Sequence, residues 1–319
     1  MAVHELHDSF PFPTAEARTG ARRALASIAD ETLVLADGLA FGALAEEAER
    51  EAARLRFVAL VHHPLAAETG IDDAAAAALE VSERRALAAA RRVVVTSRAT
   101  AAGLARYGVA ADRIDIIEPG TDRASLASGS GEGGPLHLLC VAALVPRKGH
   151  DILLHALSVV PHRRWRLTCV GSLDRHPEMA ASLRTLAVTL GIEHQVEFAG
   201  EADSSTLPAH YDSADLFVLP TRYEGYGMAV AEALARGIPV ISTNTGAIAG
   251  LVGGRAGLVV PPGDLQAFAG ALTQVLSEGA EGVELRRRLA DGAREVRDTL
   301  PTWDDAAARM DDVLSGVAG

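Results

Sequence analysis

The strongest constraint in this chain is an alternation. Runs of four to seven residues rich in Val, Ile and Leu are separated by longer Ala-, Leu- and Arg-rich stretches of helical spacing. Short apolar runs between helices predict βα units, whose strands are covered by helices on a parallel sheet. Two such series occur. The first places strands at residues 32–37, 57–62, 93–97 and 114–118, with the clearest helix over 73–92. The second places them at 136–142, 165–171, 195–199, 216–220, 239–243 and 257–260. Between the series, residues 128–134 read SGSGEGG, with four glycines and no apolar anchor. That composition predicts a flexible linker. The expected domains are therefore residues 1–128 and 135–300, followed by a separate terminal helix over 301–319. Pro301 stops the preceding helix, and WDDAAARMDDVLSGV carries apolar residues spaced to dock on something. Its host cannot be read from the sequence.

A chain of 319 residues is long enough for about two such domains. Net charge is −12, which repels nucleic acid and anionic lipid wherever it is evenly spread. No apolar run of about 18 residues occurs, and the start, MAVHELHDSF, has neither a basic segment nor an apolar core. The expectation is no membrane segment, no nucleic-acid partner and a cytoplasmic location. Cys140 and Cys169 each sit inside an apolar strand, LHLLCVAAL and WRLTCVG. Buried reduced thiols are expected there, rather than a disulfide or metal ligands. There is no Asp-x-Asp, no H-E-x-x-H and no Cys-x-x-Cys, so no catalytic metal is expected. The mixed-sign stretches 46–56 and 83–92 read as solvated helix faces.

The stretch RYEGYGMAVAEALARGIPVISTNTGA, residues 222–247, carries the chemistry. A strand ends near Pro220, a loop follows, and a helix runs from about Met228 until Gly237 and Pro239 stop it. Glu224 is then on the loop and Glu232 on the helix. Eight helical residues would set two side chains about 80° apart, so these carboxylates do not make one acid/base pair. They suit different parts of one long ligand. Gly225 and Gly227 let backbone N–H groups approach a phosphate between them. Taken alone, the glycines read rather as a turn flanked by solvated glutamates. GYGMAV also resembles part of a G-x-G-x-x-G dinucleotide fingerprint, but Val230 replaces the third glycine. The next strand ends in Ser242 and Thr243, with no acid for an adenosine ribose. A dinucleotide oxidoreductase is thus the weakest alternative.

Together these residues resemble the E-x7-E signature of retaining, nucleotide-sugar-dependent glycosyltransferases, the glycosyl transferase group 1 or family 4 class. CVAALVPRKGHDILLHAL (140–157) is similar to the first strand and helix of that class's donor domain. LTCVGSLD, VEFAGE and LPAHYDSADLFVLPTRYEGYG follow in its order. VALVHHPLAAETG, RRVVVTSRAT and IDIIEPGTD resemble the later strands of its acceptor domain. The resemblance covers residues 33–262 and implies a GT-B fold, two Rossmann-like α/β domains facing a cleft, with the N-terminal one shortened.

What it implies residue by residue is as follows. Glu224 touches the donor sugar hydroxyls and Glu232 the nucleotide ribose. Gly225, Tyr226 and Gly227 lend backbone N–H groups, with Met228 opening the helix beside them. Lys148 neutralises the donor diphosphate; its neighbour Arg147, which the match does not place on the family position, is expected among the donor-binding residues. His62, at a strand end, lies near the sugar, with His63 adjacent. The segment 118–122 is structural. No cofactor is implied beyond the nucleotide-sugar, which is a co-substrate; the acceptor is unidentified. Two departures stand out. Ala143 occupies the position where the family carries an arginine, and the family's opening strand, glycine loop and helix have no counterpart before HDSFPFPTAEARTG. These departures keep a non-catalytic nucleotide-sugar-binding protein as the alternative. Residues 32–37 would then form an open sheet edge, to be capped by the N-terminal residues or paired with a second copy in a homodimer.

Overall fold

All ten strands expected from the sequence form in the computed structural model, each within two residues of its expected ends. The structure describes every residue except Met1, Thr69, Glu132, Arg163 and Gly319. The chain divides into two units, one of residues Met1–Pro119 and Trp303–Gly319, the other of Gly120–Thr302.

The first unit carries β1 (Leu33–Asp37), β2 (Arg56–Val61), β3 (Arg92–Val95) and β4 (Ile114–Ile116) in sequential order, every pair parallel. Successive strand residues face opposite sides, and both sides are apolar. Phe57, Ala59 and Val61 join Val93, Val95, Leu55, Phe41, Ala86 and Leu87 in one core. Val58, Val94, Leu33 and Leu60 face the other way, onto the helix Trp303–Ala318. That helix brings Ala306, Met310, Val313, Leu314 and Val317 to the sheet, a stripe repeating every three to four residues. The host that the sequence leaves open is therefore the first unit. Arg56 fixes the helix end by donating to the carbonyls of Val317 at 3.2 Å and Ala318 at 2.5 Å, where a cation complements the exposed C=O groups.

Among the described N-terminal residues none adds a strand to β1. They form a helix, Ala15–Ala26, with Thr14 Oγ1 accepting from Ala17 N at 3.1 Å. Arg18 and Arg22 of this helix bind Glu47, fully buried on the helix Ala45–Glu51, at 3.4 and 2.8 Å. Burying a carboxylate requires such pairing. Among the described residues no strand pairs with the outer side of β1, and Leu35 there is 42% exposed.

The second unit carries β5 (Leu136–Val141), β6 (Trp165–Val170), β7 (Val196–Gly200), β8 (Leu216–Leu219), β9 (Val240–Thr243) and β10 (Gly257–Val260), again all parallel. Their order is β10-β9-β8-β5-β6-β7. The chain starts in the middle at β5, builds outward through β6 and β7, and returns to build the other half from β8. Ligands of open α/β sheets bind beyond the strand C-termini where the order reverses. Here that point lies between β5 and β8. Leu138, Leu139, Phe217, Val218, Val240 and Ile241, all fully buried, make the centre of the core.

The expected linker at 128–134 is not a free connection. The division falls at Pro119/Gly120, and Ser128 and Gly129 donate their amides to the carbonyl of Asp212, each at 2.9 Å. Ser130 N donates to Asp215 Oδ1 at 3.1 Å. Glycine and serine leave their amides unshielded, so two aspartates at the end of the helix Leu207–Asp212 and beyond it tie the stretch to the second unit. Composition registered the missing apolar anchor but not this polar one.

Met310 and Leu314 are only partly buried, so replacing both with alanine is expected to cost about 2 kcal/mol, at the low end for large-to-small changes. Hydrogen exchange at the β2 amides should quicken while that at β8 holds; equal exchange in β2 would count against the helix as its cover.

Candidate functional site

The loops after β5 and β8 meet at the reversal point. After β5, residues Pro146–Lys148 make a short 3-10 turn, ended by Gly149 at φ 72°, from which the helix His150–Val159 starts. A Cβ on Gly149 would stand 2.1 Å from the Pro220 carbonyl oxygen. Only glycine lets the two loops come this close. They are then stitched together: Arg222 N donates to Arg147 O at 2.7 Å, Thr221 Oγ1 lies 3.1 Å from the same carbonyl, and Arg222 pairs with Asp151 at 2.7 Å.

This stitching brings the sequence-predicted charges together. Lys148 Nζ lies 2.7 Å from Glu224 Oε2, and Arg147 Nη1 lies 3.9 Å from Glu224 Oε1 while donating to Tyr223 O at 3.1 Å. The three side chains are 13–16% exposed. At so little exposure a carboxylate between two cations is held far more firmly than a surface pair. Arg147 thus reaches the cluster although Ala143 offers no charge.

Gly227, at φ 100°, begins the helix Met228–Leu234. With seven residues that helix has a modest dipole, so Lys148 and Arg147 are the main positive charges here. A third loop closes on the first two. Ala247 N donates to Gly225 O at 3.2 Å, and a Cβ on Gly246 would stand 2.0 Å from Glu224 O. Tyr226 is 5% exposed and packs in the core. Met228 is partly buried against the same core.

Glu232 has different partners from Glu224. Its Oε2 accepts from the Tyr211 hydroxyl at 2.8 Å, and its backbone carbonyl accepts from Arg236 Nη1 at 3.0 Å. Gly246 and Tyr211 carry weight that the sequence reading missed. Gly246 stood inside the quoted stretch with no motif to mark it, and Tyr211 precedes Glu232 by 21 residues.

His62 is in the first unit, just past β2. Its Nε2 lies 2.9 Å from Asp37 Oδ2 at the end of β1, and its carbonyl accepts from Thr96 Oγ1 at 3.2 Å. The adjacent His63 lies 3.3 Å from Glu68. The hydrogen bond to Asp37 raises the His62 pKa above 6.5, and the same bond lowers that of Asp37 below 3.8.

Cys140 and Cys169 are register partners on β5 and β6, both free and buried. His150 Nε2 lies 3.6 Å from Cys140 Sγ, and the three donor atoms lie within 4.8 Å of one another. Hydrogen bonding between the two thiols lowers the Cys140 pKa and raises that of Cys169. Among the described residues this is the set whose ligand atoms could meet on one metal ion. It has three ligands and His150 Nδ1 without a hydrogen-bond partner, whereas metal-bound histidines anchor their second nitrogen.

Two outcomes follow. Gly149→Ala should destabilise the second unit by at least about 1–2 kcal/mol for the left-handed backbone, plus the clash with Pro220, read as a lowered urea midpoint. For the His62–Asp37 pair, the raised His62 contributes stability below pH 6.5 that is lost as pH rises through its folded pKa. The lowered Asp37 contributes stability above pH 3.8 that is lost as pH falls through its own. Both are about half exposed, so the stability term is small and titration is the better probe. An NMR midpoint for His62 above 6.5 should return towards 6.5 in Asp37→Asn.

The chain is similar to known proteins over both units. Residues 125–296 match the family of glycosyl transferases group 1, and residues 3–125 match glycosyltransferase family 4. A D-inositol 3-phosphate glycosyltransferase of Xylanimonas cellulosilytica is 30% identical over 74% of this chain and 59% of its own length. A GDP-mannose-dependent alpha-(1-6)-phosphatidylinositol monomannoside mannosyltransferase of Mycobacterium tuberculosis is 33% identical over 66% of this chain and 57% of its own. The chain thus spans little more than half the length of the curated relatives it matches. Among solved structures, sucrose-phosphate synthase from Thermosynechococcus elongatus superposes with a TM-score of 0.80 at 22% identity, covering 98% of this chain and 82% of that one. Anabaena Alr3699/HepE in complex with UDP and glucose gives 0.78 at 21%, covering 94% and 81%. These likenesses show the GT-B fold, here two parallel-sheet α/β domains. The chain belongs to the glycosyl transferases group 1 family.

Proposed function

We propose that this chain transfers a sugar from a nucleotide-sugar donor to an acceptor, with retention at the anomeric carbon. The observation that carries the reading is the Lys148–Glu224 pair, 2.7 Å apart and little exposed, at the strand-order reversal of the second unit. The pair is matched to both ends of a sugar diphosphate. Lys148 and Arg147 suit the phosphates, and Glu224 suits the sugar hydroxyls. Binding the donor exchanges the internal ion pair for a cation–phosphate pair and hydrogen bonds from the sugar hydroxyls to Glu224, so neither charge is left buried alone.

In the reaction the acceptor hydroxyl oxygen bonds to the anomeric carbon as the bond from that carbon to the diphosphate oxygen breaks. The acceptor proton passes to the leaving diphosphate. Lys148 and the amides of the 224–228 loop are preorganised for the charge that develops on it. This assigns the charge stabilisation to side chains and amides, without a metal or a resident cofactor. Glu232 holds the ribose, and His62, on the first unit, is assigned to the acceptor side. A cytoplasmic location is part of the same reading. Among the described residues no helix is long and apolar enough to cross a membrane.

The relatives and neighbours suggest the first donors to test, GDP-mannose and UDP-glucose, since GDP-mannose appears in one relative's name and UDP with glucose in one neighbour's complex. Removing one preorganised charge-stabilising group typically costs about 10²–10³ in kcat, and Lys148→Ala should fall in that range. Release of nucleoside diphosphate measures it. Tight donor binding by the unaltered chain with no turnover would instead favour a nucleotide-sugar-binding protein, a role for which Ala143 is the motivating residue.

A further inference from the structure

The second glutamate of the site does not stand by itself. Tyr211, on the helix Leu207–Asp212, is completely buried, and its hydroxyl meets Glu232 Oε2 at 2.8 Å. A second acceptor, Ala229 O, is 3.3 Å away, so the single proton points preferentially to the nearer, charged oxygen. The ring has two further contacts. It stacks on Phe217 of β8 with centroids 6.3 Å apart and planes at 15°, and the Arg236 guanidinium lies 4.5 Å from its centroid. Arg236 also donates to the Glu232 backbone carbonyl at 3.0 Å. Burial and the neighbouring Glu232 carboxylate push the Tyr211 pKa well above its ordinary value, so its proton stays available for donation. Glu232 Oε1 makes no hydrogen bond among the described residues.

We infer that Tyr211 is a positioning residue for nucleotide recognition: it spends one carboxylate oxygen of Glu232 on a fixed internal bond, so that the other is presented in one direction to the ribose hydroxyls of the donor. A glutamate on an exposed helix face samples several rotamers, each of which weakens its aim. Tyr211 removes that freedom from within the core. Arg236 completes the clamp by lying over the Tyr211 ring and donating to the Glu232 backbone carbonyl. This inference rests on the assignment of Glu232 to the ribose made above.

The test uses the full chain with UDP and GDP, and with the 2′,3′-dideoxy forms of the same nucleotides, by calorimetry. Tyr211→Phe keeps the ring, its stacking and its volume. It should raise the Kd of the ribonucleotide on the order of tenfold, as loss of a bond to a charged group does, and leave the dideoxy Kd unchanged. In turnover the donor KM should rise while kcat holds. A purely structural tyrosine would weaken both nucleotides equally, and that result overturns the inference. Glu232→Gln separates the two levels. Loss of ribose discrimination in Glu232→Gln but not in Tyr211→Phe overturns the role of Tyr211 alone. Unchanged discrimination in Glu232→Gln overturns the assignment of Glu232 itself, and Tyr211 with it. Should Tyr211→Phe fail to fold, Arg236→Met is read in the same assay, with the same selective loss expected and an equal loss for both nucleotides counting against the clamp.

Discussion

The second unit depends on one close approach, that of the Gly149 backbone to the Pro220 carbonyl. With 2.1 Å between a notional Cβ and that oxygen, no side chain can be accommodated at residue 149. The contact exists because β5 and β8, neighbours in the sheet, are 74 and more residues apart in the chain and release their loops side by side. Everything charged in the site follows from that adjacency. Lys148 and Glu224, 76 residues apart, meet only because the loops do. A backbone contact sets the spacing, and the ion pair occupies it.

The site is then a balance of opposite charges rather than a basic pocket in an acidic protein. Net charge is −12 overall, yet around Glu224 two cations face one carboxylate. A strongly positive hollow would hold any phosphate and release product slowly. In the function proposed above, a cation already paired is won from its carboxylate by a ligand that offers both a phosphate and hydroxyl groups, which would link affinity to the whole donor rather than to its phosphates. Glu232 works in the opposite way, with its internal partner an uncharged hydroxyl that fixes direction without neutralising it.

In the Cys140–Cys169–His150 group, His150 directly follows Gly149 and all three residues are buried. Parallel strands in register place the two sulfurs together as a consequence of β5–β6 pairing. The expectation of free buried thiols came from their apolar surroundings, and the structure adds that the two are register partners on adjacent strands.

Local periodicity made much of this protein legible. The ten strands, their parallel pairing into two series, the loop position of Glu224 and the helical position of Glu232 all follow from runs of β-branched residues and the glycines and prolines that bound them. Those signals act over a few residues, and the sequence carries them directly. The host of the helix Trp303–Ala318 was decided only in three dimensions, by which sheet face remained uncovered. So were the tethering of 128–130 by Asp212 and Asp215 and the partner of Glu232, because each joins residues far apart in the chain. Hydrogen bonds of this kind leave no period and no composition signal, since either partner alone is an ordinary tyrosine, aspartate or serine. Sequence settled what each segment becomes; the order of strands in the sheet settled which segments meet.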